Sequence, residues 1–120
     1  MDNNRKKVLL IPFDGILTKE HTFDINKGIC DKIRRMPNVQ RVAIIADKSD
    51  DAFYNARKKS VEFFVFMYCN TAVSTHERGD GMVESIMDML PHNIRKKDYM
   101  LSVGEKIEGI DYVEPNDFVK

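Results

Sequence analysis

The sequence predicts an α/β fold built on a mainly parallel sheet of five strands. Two observations carry that prediction. Short apolar runs alternate with stretches of helical spacing along the whole chain. The strongest runs are continuously apolar, as in strands covered on both faces. The chain has 120 residues, enough for one core and one domain, and it shows no repeat or linker.

Val8-Leu9-Leu10-Ile11 reads as the first strand, followed by a polar loop from Asp14 to Asp24 that holds Gly15 and His21. Ile25, Ile29, Ile33 and Met36 then recur at helical spacing, with Asp24 as the expected cap and Pro37-Asn38 as the stop. Val39 to Ala46 is the second strand. Ser49, Asp50 and Asp51 open the second helix, and Arg57-Lys58-Lys59 suit its last turn. Phe63-Phe64-Val65-Phe66 is expected as the third strand, with a long loop from Tyr68 to Asp80 after it. Val83, Ile86, Met87 and Leu90 mark a third helix that ends at Pro91. Tyr99 to Val103 is the fourth strand and Ile110 to Val113 the fifth. With right-handed crossovers the sum is a three-layer, Rossmann-like arrangement. Ligands of such sheets bind beyond the carboxyl ends of the strands. Those ends are expected at Pro12 to Asp14, Ala46 to Lys48, Tyr68 to Asn70 and Gly104 to Glu105.

Composition narrows the function classes. Nineteen Lys and Arg balance nineteen Asp and Glu, which argues against a general polyanion binder. The clusters Arg5-Lys6-Lys7, Arg57-Lys58-Lys59 and Arg95-Lys96-Lys97 read as solvated ends of elements, so nucleic acid is a possible but not a favoured partner. No apolar run approaches the roughly 20 residues that cross a bilayer, so no membrane partner is expected. The N-terminal residues lead into an apolar run too short for a secretory leader. Cys30 and Cys69 read as reduced thiols, and a cytoplasmic location is expected. His21, His76 and His92 show no ligand spacing, and Cys69 with His76 cannot make a tetrahedral zinc site.

The segment Ile11-Pro12-Phe13-Asp14-Gly15-Ile16-Leu17-Thr18 resembles the first motif of the haloacid-dehalogenase-like (HAD) phosphatase superfamily, a buried strand ending in Asp-x-Asp-Gly-Thr. Val42 to Asp47 resembles the second motif, Gly81-Met82 the region of the third, and Ser102-Val103-Gly104-Glu105-Lys106 the fourth. The resemblance implies a HAD-like fold. With about ten residues in the first loop, it also implies a member without a cap domain. Several catalytic positions depart from the pattern. Pro12 stands where the family's nucleophilic Asp belongs, and Ala46 stands where its phosphate-binding Thr or Ser belongs. No Lys lies between Thr71 and Asn93, where Arg78 is the only cation. Asp14 matches the family's general acid/base and Glu105 the acidic position of its fourth motif.

A missing nucleophile removes roughly three to six powers of ten in rate. The resemblance therefore implies a degenerate, phosphatase-like pseudoenzyme that binds a protein or a phosphate-containing ligand. The alternative is a divergent metal-dependent phosphohydrolase that uses Asp14. Asp14, Gly15, Asp47, Lys48 and Arg78 are the candidate ligand-binding residues, with Asp14 the vestigial catalytic group. Glu105 is the candidate metal ligand, and magnesium binding is expected to be weak or absent.

Overall fold

The computed structural model describes residues 5–120, so the N-terminal reading of residues 1–4 lies outside the described residues. The strands are β1 (Val8–Pro12), β2 (Arg41–Ala46), β3 (Ala72–Glu77), β4 (Met100–Val103) and β5 (Asp111–Val113). The helices are α1 (Lys27–Arg34), α2 (Ala52–Cys69), α3 (Met82–Asp88) and α4 (Pro115–Phe118). The sheet order is β3-β2-β1-β4-β5 and every pairing is parallel. This is the expected α/β fold with a five-stranded sheet.

Alternation along the inner strands builds the three layers, because successive strand residues face opposite sides. Leu9, Ile11, Val42, Ile44, Leu101 and Val103 join a core with Ile29, Ile33, Val61, Val65 and Phe118, so α1, α2 and α4 cover one face. Val8, Leu10, Ala43, Ile45 and Met100 face the other way and meet Met82 and Ile86 of α3. All five residues of β1 are buried, which is why this segment is apolar without interruption.

The third strand is not where the sequence placed it. Phe63 to Phe66 lies inside α2, and β3 lies within the segment expected as a long loop. Tyr68-Asn70 is accordingly the end of a helix, with Asn70 as a left-handed cap at φ 52°, and the third strand end is Glu77-Arg78. The physical reason is that α2 buries Arg57, Val61, Val65 and Cys69 at four-residue steps while Phe63, Phe66 and Met67 face outward. β3 is an edge strand, paired only with β2, and so it tolerates the polar sequence Ala-Val-Ser-Thr-His-Glu. Arg57-Lys58-Lys59 consequently sits within α2, not in its last turn. The cap of α1 is Asn26, not Asp24: its side chain accepts from the Ile29 N–H at 3.2 Å.

Truncating the inner face of α2 tests this assignment. Val65→Ala is expected to lower stability by about 2 kcal/mol. Phe63→Ser should stay within about 0.5 kcal/mol of the parent. Urea denaturation followed by circular dichroism measures both, and a strand at 63–66 would give a different ranking.

Candidate functional site

The carboxyl edge of the sheet carries two separate ionic constellations. The first starts at β1. Beyond Pro12, the Phe13 N–H donates to the Ile45 carbonyl at 2.8 Å, and the Leu17 N–H donates to the Pro12 carbonyl at 3.1 Å. The chain turns at Gly15, whose φ of +89° suits glycine and beside which there is open space. The turn aims the Asp14 carboxylate at α2. One oxygen accepts from an Arg57 terminal nitrogen at 2.7 Å and from the His21 backbone N–H at 3.0 Å. Arg57 is 1% exposed. Its Nε donates to the Thr22 carbonyl at 2.7 Å, and its guanidinium stacks over the Phe13 ring at 4.8 Å. Burial alone would raise the Asp14 pKa. The hydrogen bonds from Arg57 and His21 and the nearby positive charges outweigh it, holding the carboxyl below its ordinary 3.8.

The second constellation spans the sheet. Arg78 follows β3, and its N–H donates to the Ala46 carbonyl at 2.8 Å. Its guanidinium reaches across the ends of β2 and β1 to Glu105, beyond β4. Nε lies 3.1 and 3.2 Å from the two carboxylate oxygens, and a terminal nitrogen lies 2.7 Å from one of them. The other terminal nitrogen pairs with Asp47. These bonds, first the one to Glu105, raise the already high Arg78 pKa. The backbone N–H of Asp47 donates to the Tyr54 hydroxyl at 2.8 Å, which ties the end of β2 to α2.

Strand order reverses between β1 and β4, so a ligand crevice is expected there. Side chains crowd part of this place. A Cβ on Gly104 would lie 3.0 Å from Ile16 and 3.2 Å from Pro115, and the Arg78–Glu105 pair crosses above the tip of β1. An open cleft of about 410 Å³ lies to one side, between the loop after β1 and the start of α2. Asp14, Asp47 and Lys48 line it together with His21, Tyr54 and Arg57. Asp47, Arg78 and Glu105 thus form one cluster; Asp14, Asp47 and Lys48 share one cleft; and Gly15 serves as the turn beside it.

Arg57 was missed because it read as one of three consecutive cations. Its spacing with Tyr54, Val61 and Val65 puts it on the apolar stripe of α2, a signal present in the sequence. Lys6 departs in the same way from a solvated strand end. It is 5% exposed and donates to Asp111 at 2.7 Å and to the Asp98 carbonyl at 2.8 Å. His76 is also buried, 2.7 Å from the Ser74 hydroxyl and 3.2 Å from that of Ser85. Burial, helped by the charge of Arg41, lowers its pKa and favours the neutral ring.

The magnesium ion of the resembled family does not fit these donors. Both Glu105 oxygens face Arg78, Asp14 is neutralised by Arg57, and Pro12 has no carboxylate. Among the described residues no group of three or more His, Cys, Asp or Glu side chains converges in a way that could hold a metal ion. No described helix is long and apolar enough to cross a membrane. No family model matches this chain, and neither a curated protein nor a solved structure matches it significantly.

Removing Asp14 should orphan a buried guanidinium. Asp14→Ala is expected to cost about 3 kcal/mol, the low end for a broken buried pair because the carboxylate keeps some water contact. Adding Arg57→Leu should recover part of that loss. The folded pKa of Asp14 is depressed, so its contribution is full above 3.8 and disappears as pH falls through the folded value. Acid titration of stability should therefore steepen below about pH 4 in the parent, and the Asp14→Ala variant should lack this component.

Proposed function

We propose that this chain is a non-catalytic binding domain with the architecture of a capless HAD phosphatase, its former reaction centre closed by internal ion pairs. The observation that carries the reading is the buried Arg57 holding Asp14 as a carboxylate. A general acid needs a proton to give near neutral pH. A carboxyl kept below 3.8 has none there and is also a poor base. Pro12 supplies no nucleophile, and the Arg78 guanidinium that could have met a phosphate is taken by Glu105 and Asp47.

The cleft beside Asp14 favours a protein partner over a phosphate-containing ligand. The start of α2 would ordinarily attract an anion. Here the Asp51 carboxylate already accepts from the Phe53 and Tyr54 N–H groups at 2.8 and 3.1 Å. Glu20, Asp47 and Asp51 add negative charge to the same walls. Near the cleft, Phe23 and Phe53 meet edge to face at 5.5 Å while remaining about half exposed, which gives a partner an aromatic contact next to polar groups.

Assays with p-nitrophenyl phosphate and sugar phosphates, with and without magnesium, are expected to show no turnover above background. Inorganic phosphate should leave the melting temperature unchanged. Robust metal-dependent hydrolysis that Asp14→Asn abolishes would overturn this reading in favour of a divergent phosphohydrolase.

A further inference from the structure

At β3 the sheet ends, and two unpartnered features lie side by side there. The first is the backbone edge. The Arg78 N–H donates to the Ala46 carbonyl, so by alternation the backbone groups of Ala72, Ser74 and His76 face β2. Those of Val73, Thr75 and Glu77 face away from the sheet and have no backbone partner among the described residues. The second is a groove of about 220 Å³ between this edge and α2, lined by Lys59, Glu62, Phe63, Phe66 and Val73. Phe63 and Phe66 are 65% and 50% exposed. Glu62 is tied to the Thr75 hydroxyl, while Lys59 makes no ion pair among the described residues. The other edge of the sheet is different. β5 has three residues, and Asp111 at its start pairs with Lys6. Short, charged edges resist strand addition, whereas β3 offers six residues.

We propose that β3 pairs antiparallel with β3 of a second copy, giving a two-fold dimer with one continuous sheet. Pairing about an axis normal to the sheet near Thr75 matches each outward N–H to a carbonyl of the same segment in the other copy. It also keeps both α2 helices on one side of the joined sheet, so the two grooves close on each other. Parallel pairing of the same edges would send the helices to opposite sides and leave Phe63 and Phe66 in water. Charge favours the same arrangement. Lys59 and Glu62 stand three residues apart on the groove wall, and antiparallel helices bring the cation of each copy toward the carboxylate of the other. The chain's net charge of +0 sets up no overall repulsion between copies.

The area is enough for a reversible dimer. Phe63 and Phe66 together leave roughly 200 Å² exposed. The outer side of β3, about 20 Å long, adds a similar amount. With the rest of the groove, the contact falls at the low end of specific interfaces, for which the expected dissociation constant is on the order of 10 μM. Well below that concentration the chain is a monomer. This dimer stands apart from the reading of the strand ends, because neither Asp14 nor Arg78 takes part in it.

The test is sedimentation equilibrium of the full chain from about one-tenth to about thirty times that concentration. The expected result is a single monomer–dimer equilibrium with no larger species. Amide exchange followed by NMR supplies the second readout. At the high end of the range the N–H groups of Val73, Thr75 and Glu77 should slow by about fivefold, while those of Ser74 and His76, already bonded to β2, should change little. Phe66→Asp should raise the dissociation constant by about tenfold or more and leave the monomer's circular dichroism unchanged. A chain that stays monomeric throughout, a dimer in which those three amides gain no protection, or open-ended growth would each overturn the proposal. If Phe66→Asp does not fold, the amide pattern of the parent protein decides alone.

Discussion

A guanidinium in the interior of α2 sets the terms for the carboxyl edge of this protein. Arg57 occupies a position that the helix's four-residue spacing commits to the core, and a charge there must be met. Asp14 supplies the countercharge, the Thr22 carbonyl takes a further hydrogen bond, and the Phe13 ring covers the guanidinium plane. These three partners all come from the segment just after β1. One buried cation therefore fixes the loop from Phe13 to Thr22 against α2, and with it one wall of the adjoining cleft. The carboxylate that looks most like a catalytic group is consumed in holding the fold together.

A second arginine does for the sheet's edge what the first does for the loop. Arg78 bridges segments that follow β2, β3 and β4, with the end of β1 beneath it. This cluster is partly exposed, so its Coulombic contribution to stability is modest, and its main effect is steric. Arg78, Glu105 and the Ile16 side chain seated against Gly104 together occupy the place where strand order reverses. A parallel sheet normally leaves that crevice open. The cleft beside Asp14 lies toward α2, where the lining is mixed in charge and bordered by aromatic rings.

Much of the fold could be read from the chain because inner parallel strands must be apolar on both faces. β1, β2 and β4 are of that kind, and their sequences admit no other element. β3 escaped because it is an edge strand with Ser74 and His76 among its buried residues, so it lacks the apolar run that marks its neighbours. The run that does look like a strand, Phe63 to Phe66, is the outward side of α2, where Phe63 is 65% exposed. Intrinsic preference of Phe and Val for strands competed there with the spacing of Val61, Val65 and Cys69, and burial decided for the helix. At the edge of the sheet, position along the chain was enough to find Asp14, Asp47 and Glu105. Their pairings were not legible, although Arg78 itself was expected as a ligand-binding residue. Arg57 is distant in sequence and stands among other cations, and Arg78 follows a strand that was not recognised.

The two arginines also decide how much of the charge at this edge is left for a ligand. A carboxylate and a cation left facing solvent at this edge would form a polar pocket open to anions and metals. In this chain Asp14, Asp47, Arg78 and Glu105 each have an internal partner of opposite sign. Pairing of that kind lowers the field available to a ligand and removes the cost of leaving buried charge unmet. On the proposed reading, an aspartate placed at position 12 would therefore not be enough to give phosphatase chemistry. Asp14 would still be held by Arg57, and Glu105 by Arg78. Activity would require at least one of these pairs to open, at the expense of the contacts that order the loop and the edge.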